Sequence, residues 1–92
     1  MKRIQRRDKL KIYGDLLTIL NAEANNDKIV LSRVQLKIGV PFDRLKAYIS
    51  DLKDLGMIEE EGSIKLTKKG KQYLNEYEEV LDFMKRMGIA YK

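Results

Sequence analysis

The stretch from Pro41 to Ile58, PFDRLKAYISDLKDLGMI, constrains this chain more than any other. Leu45, Tyr48, Ile49, Leu52 and Leu55 recur at helical spacing and form one apolar stripe. Pro41 suits the first turn of a helix, because its fixed φ is helical and its missing N–H has no partner there. Gly56 follows the last apolar position, where a left-handed C-cap is expected. Met57 and Ile58 then begin something extended. A helix with one apolar stripe must bury that side and present the other to solvent. The flanking segments must therefore supply the cover.

Read in order, the flanks supply it. Met1 to Arg7, MKRIQRR, is a basic arm, either a solvated terminus or a segment that follows phosphates. Asp8 can cap a first helix reaching Ala22–Ala24, with Leu10, Tyr13, Leu16, Leu17 and Leu20 as its stripe. Gly14 lies inside that helix and weakens it by ~1 kcal/mol relative to Ala, which points to a close crossing by another segment. Asn25-Asn26-Asp27 reads as a turn, and Lys28 to Leu31 as a short extended segment. Ser32 is a good N-cap for a two-turn helix over Arg33–Ile38, with Val34 and Ile38 inward and Arg33 and Lys37 outward. Gly39-Val40-Pro41 is a tight turn, with Val40 plugging the angle between the two helices. After Gly56, Ile58, Ile64 and Leu66 fall on one face of a two-stranded ribbon closed at Glu61-Gly62. Thr67 caps a last helix that Gly88 ends. The resulting divisions are an arm over 1–7, a helical and ribbon domain over 8–67, a final helix over 68–88 and a tail over 89–92.

The last helix carries a seam. Tyr73, Tyr77, Val80, Met84 and Met87 step by 4, 3, 4 and 3, and Leu74 and Leu81 broaden the stripe. It can pack on the chain's own first helix, or two subunits can share it. The stripe is longer than cover for one small domain requires, which favours a homodimer.

At 92 residues the chain is one domain. Its net charge is +5, and the first fourteen residues hold six cations against one anion. A polyanionic partner fits that balance. Cysteine and histidine are absent, which removes disulfides, the usual zinc ligands and the commonest general base. No metal or cofactor is expected. No pair of carboxylates stands out from the solvated helix faces, so no catalytic residue is expected either. No apolar run approaches the ~18 residues of a spanning helix and no signal peptide is visible, so a soluble, cytoplasmic protein with no membrane partner is expected.

Turning the central helix 100° per residue places Asp43, Lys46, Ala47, Ser50 and Asp54 opposite its stripe, with Arg44 and Lys53 at the flanks. Lysine and arginine can meet phosphates or a guanine edge, and Ser and Ala permit close approach to bases. The candidate DNA-contact residues are Arg6, Arg7, Lys9, Arg33, Lys37, Arg44, Lys46, Ala47, Ser50, Lys53, Ser63 and Lys65. The candidate dimer residues are Tyr73, Leu74, Tyr77, Val80, Leu81, Met84 and Met87. Glu59, Glu60 and Glu61 repel phosphates at the ribbon. Lys68, Lys69 and Lys71 sit unfavourably at a helix N-terminus, either solvated or awaiting a partner.

The ordered run LSRVQLKIGVPFDRLKAYISDLKDLGMIEEEGSIKLTKKGKQYL resembles the small archaeal winged-helix DNA-binding proteins, especially the ten-kilodalton dimeric type of Sulfolobus chromatin. The likeness covers about Lys9 to Met87. The LTKKG element, Leu66 to Gly70, stands where many winged-helix repressors carry it, and Arg33, Tyr48 and Ile49 fall on matching positions. The resemblance implies a winged helix, duplex DNA as partner, a nucleoid location, no catalysis, and a dimer joined by an antiparallel coiled coil of C-terminal helices. The chain departs from that pattern at Pro41, where a Ser cap is usual, in its acidic wing, and at Gly88, which shortens the last helix. The expected class is α+β, mostly α: a winged helix-turn-helix with a long C-terminal helix forming a dimer seam. Its expected function is that of a dimeric double-stranded DNA-binding protein, a transcriptional regulator or an architectural protein. The alternative is an adaptor that uses the same surfaces for protein contacts; the ribbon's acids favour it.

Overall fold

The computed structural model describes the backbone of residues 3–26 and 28–89 and the side chains of residues 9–25 and 28–89. The order is α1 (Arg3–Asn26), α2 (Leu31–Ile38), α3 (Phe42–Asp54), β1 (Ile58–Glu61), β2 (Ser63–Leu66) and α4 (Lys68–Arg86). The chain is mostly helical, with one antiparallel ribbon and a long C-terminal helix, as the sequence predicts. Helix α1 opens at Arg3, so Asp8 lies within it rather than capping it. The run before Asp8 contains Arg and Gln, good helix formers, and no Gly or Pro to stop the helix. It also runs past Ala24 to Asn26, through the first two residues of the predicted turn; Asp27 lies outside the described residues.

Helix α2 starts two residues earlier than Ser32 allows. Val30 is its N-cap, in extended backbone at φ −111° and ψ 117°, with no side-chain cap bond. Its carbonyl accepts from the N–H of Arg33 and of Val34, both at 3.1 Å, and Ser32 sits exposed in the first turn. Lys28–Leu31 forms no strand: among the described residues the sheet contains β1 and β2 only. Ile29 instead packs against the core. Gly39, at φ +75°, donates to Gln35 O at 2.9 Å and turns the chain. Gln35 Nε2 donates to Val40 O at 3.3 Å, and Val40 packs inward as expected. Pro41 is the N-cap of α3 at φ −61° and ψ 152°, one step before the helical turn predicted for it.

Helix α3 ends in a full Schellman turn. Met57 N–H donates to Leu52 O at 2.9 Å and Gly56 N–H to Lys53 O at 3.0 Å, with Gly56 at φ +78°. This turn tips Leu55 outward, so the last member of the predicted stripe is exposed while Met57 is buried. The ribbon pairs Ile58 with Leu66 and Glu60 with Ile64. Thr67 then joins ribbon to helix. Its hydroxyl donates to Gly56 O at 2.6 Å and accepts from Gly70 N–H at 3.1 Å, and its own N–H donates to Met57 O at 3.0 Å. Gly70 is bare because a Cβ there would meet the Met57 carbonyl.

Leu16, Leu17 and Leu20 of α1 meet Val34, Leu45 and Leu52 at the centre of the core, all fully buried. Ile49, Met57, Ile58, Ile64 and Leu74 close it. Helix α4 crosses α1 at Gly14, where a Cβ would lie 2.5 Å from the Tyr77 ring. Tyr77 Oη donates to Asp15 Oδ1 at 3.0 Å, and Tyr73 Oη to Leu10 O at 2.9 Å. The close crossing predicted from Gly14 is therefore present.

Candidate nucleic-acid interface

The orientation of α3 is fixed from behind. Leu45, Ile49 and Leu52 are buried, and Tyr48 is half-buried with its ring 6.2 Å from Tyr13 in a T-shaped pair. Tyr13 Oη donates to Asp51 Oδ2 at 2.8 Å, so one hydrogen bond ties α1 to the flank of α3 and sets its rotation. Burial, with help from the Asp51 carboxylate, pushes the Tyr13 hydroxyl up to about 12. The opposite face carries Asp43, Arg44, Lys46, Ala47, Ser50, Lys53 and Asp54, all exposed. Asp43 lies in the first turn, where a carboxylate complements the helix end. The Lys46 ammonium lies 5.7 Å from the Phe42 ring centroid.

Several predicted cations already have partners. Glu23 of α1, buried at 2% exposure, accepts from Lys37 Nζ at 2.8 Å and Arg33 Nε at 3.1 Å. Lys37, then Arg33, hold its carboxyl below the usual carboxylate range. Arg33 and Lys37 do reach solvent, but as a clamp between α1 and α2. Lys53 Nζ meets Glu60 Oε1 at 2.8 Å and so joins α3 to the ribbon. Arg44 and Lys46 form no ion pair among the described residues. Ser63 and Lys65 are exposed on β2, on either side of buried Ile64, and Lys9 is exposed on α1. The side chains of Arg6 and Arg7 lie outside the described residues. Lys69 Nζ donates to Leu55 O at 2.7 Å, which caps the negative end of α3 and accounts for one of the lysines opening α4.

Two helices joined by a tight turn, a ribbon behind them and a helix laid across α1 make up this arrangement. The sequence profile of winged helix-turn-helix proteins matches residues 6–85. The chain belongs to the winged helix-turn-helix family. No curated protein and no solved structure matches it. In this winged helix-turn-helix, α2 and α3 are the paired helices and β1–β2 the wing. Such a domain points to DNA binding or regulation. The LTKKG run of the winged helix-turn-helix serves the joint between wing and α4 through Thr67, Lys69 and Gly70. Glu23 went unread in the sequence, because its partners stand ten and fourteen residues away on another helix.

The predicted seam divides. Leu74 and Tyr77 are buried within the chain, and Tyr73 is half-buried beside them. Further along, Val80, Leu81 and Met87 are exposed and Met84 is half-buried; Phe83, outside the predicted seam, is 50% exposed. A hollow of about 170 Å³ lies between the two parts, lined by Leu10, Tyr73, Glu76, Tyr77 and Val80. Among the described residues no helix is long and apolar enough to cross a membrane, and no group of His, Cys, Asp and Glu can hold a metal ion.

Proposed function

We propose that this protein binds double-stranded DNA as a homodimer, as a transcriptional regulator or an architectural protein, with α3 as the helix that enters the major groove. One observation carries the reading: α3 is held rigidly from one side while its opposite face is wholly exposed and built of Arg, Lys, Ala and Ser between two acids. In that pose Lys46, Ala47 and Ser50 meet base edges, and Arg44 meets a flanking phosphate. Lys9, Ser63 and Lys65, with Arg6 and Arg7 of the arm, are the backbone contacts of this reading. Arg33, Lys37 and Lys53 reach phosphates only while shared with Glu23 or Glu60, so they orient more than they attract.

The homodimer is supported by the exposed apolar side chains of Val80, Leu81, Phe83 and Met87 and by the hollow at Leu10, which can take a side chain from a second copy. The reading is non-enzymatic and, with DNA as partner, cytoplasmic and nucleoid-associated.

The test is a duplex-binding titration of Ala47→Glu beside the unmodified protein. Residue 47 is solvent-exposed, so stability should hold within ~0.5 kcal/mol. A carboxylate there clashes with the groove and repels phosphates, so duplex affinity should fall at least tenfold, ~1.4 kcal/mol. Equal affinities would remove α3 from the interface and favour the adaptor reading, which the acidic wing supports.

A further inference from the structure

The groove-facing reading leaves Lys71 and the segment at Lys28 unused. Lys71 lies early in α4, where the helix end is positive and a cation is unfavourable. It borders a cleft of about 370 Å³ between the end of α1, residues 28–29 and β2. Lys28, Lys65 and Lys71 line this cleft together with Asn21, Asn25 and Ser63. Among the described residues, no carboxylate and no aromatic ring lines it. None of the three lysines forms an ion pair among the described residues.

The cleft lies beside Lys28–Leu31, where the sequence predicts an extended segment and no strand forms among the described residues. Among the described residues, no backbone hydrogen bond joins residues 28–30 to β2, so the ribbon stops at two strands. The opening between that segment and β2 is bordered by positive charge. Three ammonium groups around one hollow repel one another, and a multivalent anion relieves that repulsion. Lysine acts as a point charge that suits phosphate oxygens, and amide and hydroxyl groups supply further donors. Without an aromatic ring among its described lining residues, the cleft offers a nucleobase no platform.

We infer that this cleft binds a small phosphate-bearing anion, of the pyrophosphate or sugar-bisphosphate class, through Lys28, Lys65 and Lys71. No residue of α3 lines it, so the site stands whether or not α3 reads DNA. A backbone phosphate of a bound duplex offers the same chemistry, because Ser63 and Lys65 belong to the wing.

Calorimetric titration of the full chain with inorganic pyrophosphate, without DNA and at fixed ionic strength, tests the site. Saturable binding is expected. Lys28→Ala and Lys71→Ala should each weaken it roughly tenfold, the usual scale for a charged hydrogen bond. Lys85→Ala, in the last turn of α4 and outside the cleft lining, should leave it unchanged. Both substituted cleft lysines are exposed, so melting curves of the variants should match the unmodified protein. Lack of saturation, or an equal loss with Lys85→Ala, overturns the site. A duplex titration then separates the two sources. If Lys28→Ala and Lys71→Ala also weaken duplex binding and pyrophosphate displaces duplex, the occupant is a backbone phosphate. If duplex affinity is unchanged while pyrophosphate binding falls, the occupant is a free anion. The first result overturns the small-anion assignment, and the second upholds it.

Discussion

At Gly14 two opposing effects can be compared directly. Alanine there would favour the helix by ~1 kcal/mol. Its Cβ would also lie 2.5 Å from the Tyr77 ring, which the Tyr77–Asp15 hydrogen bond holds in place. Overpacking of this kind costs ~1–3 kcal/mol, so strain outweighs propensity. Gly14→Ala is expected to lose about 1 kcal/mol net in urea unfolding and to melt roughly 4–8 °C lower. A gain in stability would mean that α4 does not cross α1 here. Tyr13 gives a second expectation at this scale. Its folded pKa, about 12, lies above the ordinary 10.0. Below pH 10 both states keep the proton, and the stabilisation is fully present. Between pH 10 and 12 the unfolded chain releases a proton that the native state holds, so stability falls as pH rises. Unfolding measured across that window should decline more steeply in the unmodified protein than in Tyr13→Phe. Parallel curves would show that the Tyr13–Asp51 contact does not form.

Between elements, the Glu23 clamp decides how firmly α2 sits on α1. The carboxyl is lowered from its ordinary 4.5 by hydrogen bonds from Lys37 and Arg33. Its contribution is present above that value and is lost as pH falls through the lower, folded value. The unmodified protein should therefore lose stability below about pH 4.5 by one more protonation than Glu23→Gln, which keeps the shape but not the charge. Acid titrations followed by circular dichroism check this, and superimposable acid limbs would show that the clamp is absent in solution. The clamp also marks how far the sequence could be read. The apolar stripes of α1, α3 and α4, the Gly56 turn and the Thr67 cap were legible, because each is a local pattern within a few residues. The starts of α1 and α2 were not: Asp8 and Ser32 look like caps, but good helix formers stand before Asp8, and the Val30 carbonyl opens α2 without a side-chain cap. Leu55 kept the helical spacing, yet the Schellman turn at Gly56 took it out of the core. The partners of Arg33, Lys37 and Lys53 were hidden for a different reason. Each bond joins two elements, and single-chain periodicity carries no information about which solvent-facing charges will meet. Much of the candidate groove face could be placed, since it is the complement of a stripe; how much of its charge is already paired could not.

For the whole molecule the question is what covers the second half of α4. Its first half is satisfied within the chain, by Gly14, Asp15 and Leu10. Beyond Tyr77, apolar side chains recur among charged ones and stand open to solvent: Val80 is 41% exposed and Met87 56%. A run of this kind on a small domain is unfavourable in a monomer, and a second copy offers a matching face. Light scattering at micromolar concentration is therefore expected to give twice the chain mass. Replacing Val80 and Met84 together by Glu should give single chains, because a shared seam would bury the new charges unpaired. Val80 is solvent-exposed in the single chain and Met84 is half-buried, so the domain itself should still melt cooperatively. The same variant separates assembly from recognition. Two groove helices in one dimer favour half-sites about one helical turn apart, ~34 Å, or a multiple of that. A single chain keeps its own α3 intact but loses the second contact, so it should bind one half-site as the parent does and lose the gain from two. A variant that still scatters as a dimer would move the seam elsewhere on the molecule. A parent that is already monomeric would leave the exposed half of α4 to a different partner.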